Sequence, residues 1–123
     1  MKWFLVLLTL SGPAVACEPG LSEMVSAQLL FGRSQANDTE WADFLARSVT
    51  PRFPDGLTAL DGQGQWLSPA SGRISHEAST LLLVLVPAAP DLRARLEAVR
   101  EEYKARFQQQ SVGLVTATVC AGF

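Results

Sequence analysis

Two closely spaced prolines set the tightest limit on the fold of this chain. Pro51 and Pro54 lie in the segment T-P-R-F-P-D-G-L-T. Each proline fixes its own φ and pushes the residue before it toward extended conformations. A helix that precedes the segment must therefore end there, and a stiff corner follows. Asp55 and Gly56 then form a turn signal, after which the alternating pattern from Leu57 predicts a strand.

The predicted strand carries glycines and a tryptophan, in the run D-G-Q-G-Q-W. Glycines inside a strand indicate a bulge or a close approach by other backbone. Two interpretations are open. The whole segment can be a conformational corner that fixes the fold, with Phe53 and Trp66 in the core. It can also be the wall of a ligand pocket, for which the candidate side chains are Arg52, Asp55, Asp61, Gln65 and Trp66.

The first sixteen residues have the pattern of a signal peptide. Lys2 precedes an apolar run from Trp3 to Leu10, and Ala14-Val15-Ala16 has the A-x-A form of a cleavage site. We therefore expect residues 1–16 to be removed on export and residues 17–123 to form a single α+β domain. The apolar run is too short to span a bilayer, so no transmembrane segment is expected after processing. The predicted location is periplasmic or extracellular.

The two cysteines, Cys17 and Cys120, allow two interpretations. In an oxidising compartment they can pair and tie the two chain ends together. Closing so long a loop would stabilise the fold by roughly 4 to 5 kcal/mol on chain-entropy grounds. Alternatively, Cys17 is the lipid-bearing first residue of a bacterial lipoprotein, because a small residue precedes it. That alternative leaves Cys120 unpaired, and Pro13 and Ala14 depart from the usual lipoprotein signal.

Hydrophobic periodicity and turn residues predict strand, helix, strand, strand, helix and strand, in that order. The strands are expected at 25–33, 57–67, 73–86 and 112–123, and the helices at about 38–49 and 91–109. Asn37 and Glu40 form a capping-box pattern at the start of the first helix. This order is that of the ferredoxin-like βαββαβ fold, an antiparallel sheet with two helices on one face. In that topology the last strand ends beside the start of the first, which brings Cys120 close to Cys17.

The connection S-P-A-S-G predicts an antiparallel hairpin between the second and third strands. A five-residue loop would place one set of polar side chains on a common face: Arg73, Ser75, Glu77 and Ser79 with Asp61, Gln63 and Gln65. Further along, the run Leu81 to Val86 is apolar on both faces. Because large exposed apolar patches are rare on monomers, the sheet face without helices should not be fully exposed to solvent. A symmetric homodimer through this face is our hypothesis.

Several motifs cover nearly all of the chain after the signal peptide. They are F-G-R, W-x-x-F-L, V-T-P-R-F-P-D-G-L-T, D-G-Q-G-Q-W, G-R-I-S-H-E-A-S, Y-K-x-R-F-Q-Q-Q-S-V and V-C-A-G-F. Together they resemble a family of small exported bacterial proteins classed as a domain of unknown function. The resemblance implies export, this fold, and a cysteine near each end of the exported chain. It implies no activity, and His76 stands where an arginine is more usual in the family.

Few residues are candidates for chemistry. His76 is the only histidine, which excludes a multi-histidine metal site. There is no G-x-S-x-G motif of a nucleophilic serine and no glycine-rich phosphate loop. No metal and no cofactor are expected. The catalytic candidates are Glu77, Asp61 and His76, with Arg52 as an anchor for an anion. The net charge of −2 and the alternation of basic residues with glutamates give no indication of nucleic-acid binding.

Two functional hypotheses follow. The one we prefer is a non-catalytic ligand-binding or interaction module of the bacterial cell envelope, whose partner is a small molecule or an envelope protein. The other is a small enzyme of ferredoxin-like dimer architecture, with Glu77 or Asp61 as general acid or base and Arg52 holding an anionic group. An enzyme needs a concave site with a partly buried carboxylate, whereas a binding module needs only an apolar pocket or groove.

Overall fold

The computed structural model of the protein describes residues 16–123, so all but the last residue of the predicted signal peptide lies outside the described range. Within that range the elements follow the predicted order. They are β1 (Ser22–Gly32), α1 (Asp38–Phe44) with a π-helical turn (Leu45–Val49), β2 (Thr58–Leu67), β3 (Ile74–Val86), α2 (Leu92–Phe107) and β4 (Gly113–Ala121). Neither helix of this range is long and apolar enough to cross a membrane.

The four strands form one antiparallel sheet in the order β2-β3-β1-β4. This is the predicted α+β, ferredoxin-like arrangement. The last strand ends beside the start of the first, where Cys120 pairs with Glu23. Cys17 lies within reach, and a disulfide joins it to Cys120 with the two Cα atoms 5.5 Å apart. A lipid on Cys17 would need the same sulfur atom, so the disulfide and lipidation exclude each other.

The core lies between the sheet and the two helices. Every second residue of β1 and β3 points toward the helices, and α2 turns a buried stripe toward the sheet: Leu92, Leu96, Val99, Tyr103 and Phe107. Phe31 of β1 lies at the centre of an aromatic cluster, with its ring 5.1 Å from Trp41, 6.0 Å from Phe44 and 4.7 Å from Tyr103. Such edge-to-face contacts stabilise the core beyond the burial of apolar area.

The first helix begins and ends as predicted. The Asn37 side chain accepts a hydrogen bond from the Glu40 N–H at 2.9 Å, and the Glu40 carboxylate accepts one from the Asn37 N–H at 3.0 Å. Before the prolines the helix widens into the π-helical turn. Phe53, between the prolines, is buried in the core, as expected. The expectation that Trp66 is also a core residue is wrong, because its side chain points away from the helices and is 46% exposed.

The register of the β2–β3 hairpin differs from the prediction by one residue. Leu67 pairs with Ile74, not with Arg73. The reason lies in the loop, where the Ser68 N–H donates to the Arg73 carbonyl at 2.9 Å, so that these two residues close the connection. A slip of one residue moves every side chain of a strand to the opposite face.

The corrected register separates the two carboxylates that the sequence placed on one face. Asp61 pairs with Thr80, which is buried on the helix side of the sheet. Glu77 pairs with Gly64, and both lie on the side without helices. Asp61 and Glu77 are therefore on opposite faces of the sheet.

Candidate functional site

The sheet face turned away from the helices, which we call the open face, is largely apolar. All four strands contribute to it, since their side chains alternate between the core and this face. Its large apolar residues include Leu81, Leu83 and Leu85 of β3, together with Leu30 (49% exposed), Leu60 (53%) and Val115 (52%). We call these six residues the apolar half of the open face. Large exposed apolar surfaces are typical of interaction sites and are rare on surfaces that contact only water.

The open face changes from apolar to polar along β3, where Leu81 is followed toward the hairpin by Ser79, Glu77 and Ser75. The neighbouring strands have glycines at this level. Gly64 of β2 pairs with Glu77, and Gly32 of β1 pairs with Ser79. Because these glycines leave side-chain space empty, a groove of about 390 Å³ forms here, lined by Leu30, Gly32, Gly64, Glu77, Ser79 and Leu81 among others. We call it the Glu77 groove.

The carboxylate of Glu77 lies flat over the backbone of the adjacent strand. A Cβ atom on Gly32 would be 2.8 Å from Glu77 Oε1 and 3.0 Å from Oε2, and a Cβ atom on Gly64 would be 3.4 Å from Glu77 Cγ. Glycine at these two positions therefore allows the carboxylate to extend across the sheet. Glu77 is half-buried, yet within residues 16–123 its carboxylate has no hydrogen-bond donor or basic side chain in contact.

Tyr103 of α2 supports the groove from the core side. Its hydroxyl donates a hydrogen bond of 2.6 Å to the carbonyl of Gly32. Burial raises the pKa of Tyr103 to about 12; the nearby Arg33 opposes this rise, and the negative charge of Glu77 adds to it. The phenol is therefore neutral at physiological pH and holds the strand on which Glu77 rests.

Asp61 belongs to a different cluster, centred on Arg33 on the helix side of the sheet. The side chain of Arg33 is only 7% exposed and donates to Thr80 Oγ1 and to Asp38 Oδ1, each at 3.0 Å. Thr80 in turn donates to Asp61 Oδ1 at 3.0 Å, and the Arg33 guanidinium lies 4.7 Å from the centre of the Trp41 ring. Arg33 belongs to the F-G-R motif, but no sequence pattern made it a candidate for the site. The cluster connects β1, β2, β3 and α1.

Arg52, the predicted anion anchor, is bound by α2 and the π-helical turn. It forms a salt bridge of 3.1 Å with Glu102 and donates to the Ser48 carbonyl at 2.5 Å. The Ser48 hydroxyl donates to the same Glu102 carboxylate, and Arg95 donates to the Arg52 carbonyl at 2.8 Å. The guanidinium is thus neutralised within the helix layer, on the other side of the sheet from Glu77.

The remaining candidates do not converge on one site. Asp55 lines a second groove of about 510 Å³ at the apolar end of the open face. Trp66 is on the open face near the hairpin, whereas Gln65 and His76 pair with each other and are exposed on the helix side. The structure does not bring Arg52 together with either of the carboxylates that were candidates for catalysis, Asp61 and Glu77. In the range 16–123 there is also no group of three His, Cys, Asp or Glu residues arranged to hold a metal ion.

A comparison with protein families identifies the chain by its sequence. The family Protein of unknown function (DUF3574) matches residues 26–123. The chain belongs to this family. The resemblance to a family of unknown function is thus confirmed, and membership in DUF3574 assigns no activity. No curated protein matches the sequence.

Solved structures with a similar fold come from proteins of different kinds. One is a phage SAM lyase in complex with S-methyl-5′-thioadenosine, with a TM-score of 0.57 and 15% identity over 81% of this chain and 90% of that chain. Another is CutA from Synechococcus elongatus, with a TM-score of 0.57 and 11% identity over 85% of this chain and 87% of that chain. Identities this low show that the DUF3574 chain shares their fold, and nothing more.

Proposed function

We propose that this DUF3574 protein is a non-catalytic binding module of the bacterial cell envelope and that the open face is its binding surface. The observation that carries the proposal is the apolar half of that face. A second copy of the chain is the partner that fits it best, because a twofold axis brings the same apolar residues of two copies together. The self-association leaves the polar part of the open face, with the Glu77 groove, at the edge of the contact.

The arrangement of the charged side chains supports binding over catalysis. The enzymatic alternative needs Arg52 to hold an anion beside Glu77 or Asp61. Arg52 is instead bound to Glu102, Asp61 belongs to the Arg33 cluster, and Glu77 lies on the opposite face from both. A concave site in which acid, base and anion anchor converge is not formed by these residues.

A location in the envelope is supported by the signal-peptide pattern and by the disulfide between Cys17 and Cys120. Disulfides persist in oxidising compartments such as the periplasm and are rare where cellular thiols are kept reduced. That proteins of this fold can hold a small molecule is illustrated by the phage SAM lyase complex with S-methyl-5′-thioadenosine.

Sedimentation velocity tests the proposal at tens of micromolar protein. We expect the wild type to sediment as an oligomer and Leu60→Glu, in the apolar half of the open face, as a monomer, because each contact would bury an unpaired carboxylate. Leu67→Glu is the matched control. Leu67 lies on the same strand and is more exposed (68%), but it faces the helix side. A monomeric wild type, or equal dissociation of both variants, contradicts self-association through the open face.

A further inference from the structure

We propose that the Glu77 groove is a recognition site for a compact organic cation, such as the ammonium or guanidinium group of a small ligand. The inference rests on the proposed binding function, because it names the class of ligand that the open face takes besides a second copy of the chain.

Glu77 differs from every other carboxylate in residues 16–123 by combining burial with the lack of a partner. The other half-buried carboxylates, Asp43, Glu97 and Glu102, each form a salt bridge with an arginine. The other carboxylates that contact no basic group or hydrogen-bond donor in this range are exposed, as at Asp55. A half-buried carboxylate has lost part of its hydration, which a bound cation with N–H donors would replace.

The shape of the groove suits a small cationic head with a short carbon chain. The Glu77 carboxylate lies over the backbone of Gly32, where a Cβ atom would be only 2.8 Å from Oε1, and Gly64 flanks the Glu77 side chain on β2. Leu30 and Leu81 line the side of the groove toward the apolar half and offer contact to methylene groups. Hydroxyl and amide groups for further hydrogen bonds come from Ser79, Gln109 and Ser111. The volume of about 390 Å³ lies within the range of small-molecule sites.

The charges around the groove favour an organic cation over an anion or a metal ion. Arg33, which directly follows β1, is already bound to Asp38 and Thr80 on the helix side of the sheet. Tyr103, behind the groove, carries no charge at physiological pH, which lies well below its pKa of about 12. Calcium needs six to eight oxygen ligands and magnesium a near-ideal octahedron, whereas the groove supplies one carboxylate.

Nuclear magnetic resonance titration of the disulfide-bonded, ¹⁵N-labelled protein tests the site with two probes of nearly equal shape. n-Butylguanidinium carries a positive charge, and n-butylurea is its neutral counterpart. We expect saturable shifts of the Gly32 and Gly64 amide signals with the cation, and binding weaker by about tenfold or more with the urea, as for the loss of one charged hydrogen bond. Equal binding of the two probes, or no saturable shift at these glycines, overturns the proposal.

Two charge-neutralising variants assign the binding to the groove. Glu77→Gln keeps the size of the side chain and is expected to weaken n-butylguanidinium binding by about tenfold or more. Asp55→Asn, which neutralises an exposed carboxylate at the other end of the open face, is the control and should bind like the wild type. Unchanged binding by Glu77→Gln, or an equal loss with Asp55→Asn, overturns the assignment.

Sedimentation of the same samples distinguishes this inference from the proposed self-association. A monomer that still binds n-butylguanidinium through Glu77 contradicts self-association and supports the cation site. An oligomer whose Gly32 and Gly64 signals do not move contradicts the cation site alone.

Discussion

The Tyr103 hydroxyl donates a 2.6 Å hydrogen bond to the carbonyl of Gly32, and this bond joins the last turns of α2 to the strand that underlies the Glu77 groove. Both partners are held in place from the core side, since the Tyr103 ring is fully buried against Phe31 and Phe44. The position of the Gly32 backbone, on which the Glu77 carboxylate rests, therefore depends on the core. Changes at either end of this hydrogen bond should be measurable as changes in stability or in ligand binding.

Tyr103 should make the protein less stable at alkaline pH. Its pKa is raised from about 10 in an unfolded chain to about 12 in the folded protein. Above pH 10 the unfolded state releases the proton while the folded state retains it. The contribution of Tyr103 to the free energy of unfolding is therefore fully present below pH 10 and decreases as the pH rises to 12. The decrease is on the order of 2 to 3 kcal/mol.

Urea unfolding of the wild type and Tyr103→Phe between pH 8 and pH 11.5 measures this decrease. At pH 8 the variant should be less stable by about 1 kcal/mol, because the Gly32 carbonyl loses its donor. The difference should shrink or reverse above pH 10, since phenylalanine does not titrate. Two curves that stay parallel over the whole range would show that the phenol does not cause the alkaline loss.

Gly32→Ala should separate ligand binding from folding. The added Cβ atom would lie 2.8 Å from Glu77 Oε1, so the flexible carboxylate must move out of the groove. Since only the end of a side chain is displaced, we expect a change in unfolding free energy within about 1 kcal/mol. Binding of n-butylguanidinium, followed by the same titration, should be lost.

Gly62→Ala is the matched control for this variant. Gly62 lies on the open face opposite Ser79, and a Cβ atom there would meet Ser79 Oγ at 3.5 Å, an ordinary contact. The control should bind n-butylguanidinium like the wild type. If Gly32→Ala also binds normally, the position of the Glu77 carboxylate does not determine recognition.

Arg33 should be required for stability. Its side chain is nearly buried and connects Thr80, Asp38 and the Trp41 ring. Because the acidic partners are exposed, we discount the ion pairs and expect Arg33→Ala to lower the unfolding free energy by about 2 to 3 kcal/mol, through lost hydrogen bonds and packing. Chemical unfolding measures the loss. Arg73→Ala, at an exposed residue of the hairpin loop, should change stability by less than about 0.5 kcal/mol; a similar loss at both positions would show that Arg33 has no special role.

The fold was predictable from the sequence because its signals are local and agree with one another. The prolines end α1, the Asn37–Glu40 capping box begins it, and the apolar periods locate the strands and α2. The order of these elements then identifies the topology. The proximity of Cys17 and Cys120 follows from that topology, although 103 positions separate the two residues in the sequence.

The site was only partly predictable, because it depends on contacts between distant strands. Glu77 was a candidate, but its face depends on a single loop hydrogen bond, between Ser68 and Arg73, that shifts the hairpin register by one residue. Gly32 lies on β1 and Gly64 on β2, whereas Glu77 lies on β3. Only the pairing register of these strands brings the two glycines next to the Glu77 side chain. The salt bridge between Arg52 and Glu102 likewise depends on how α2 packs against the segment that contains Arg52, and no local sequence pattern indicates this packing.

The disulfide between Cys17 and Cys120 should contribute more to stability than any single contact described above. It closes a loop across nearly the whole folded domain, and the entropy lost by the unfolded chain corresponds to roughly 4 to 5 kcal/mol. Urea unfolding with and without a thiol reductant measures the contribution. A Cys17→Ala/Cys120→Ala double variant should match the reduced wild type, because both lack the same constraint. If reduction leaves the unfolding midpoint unchanged, the bridge does not stabilise the fold, and the bond between the chain ends must serve another purpose.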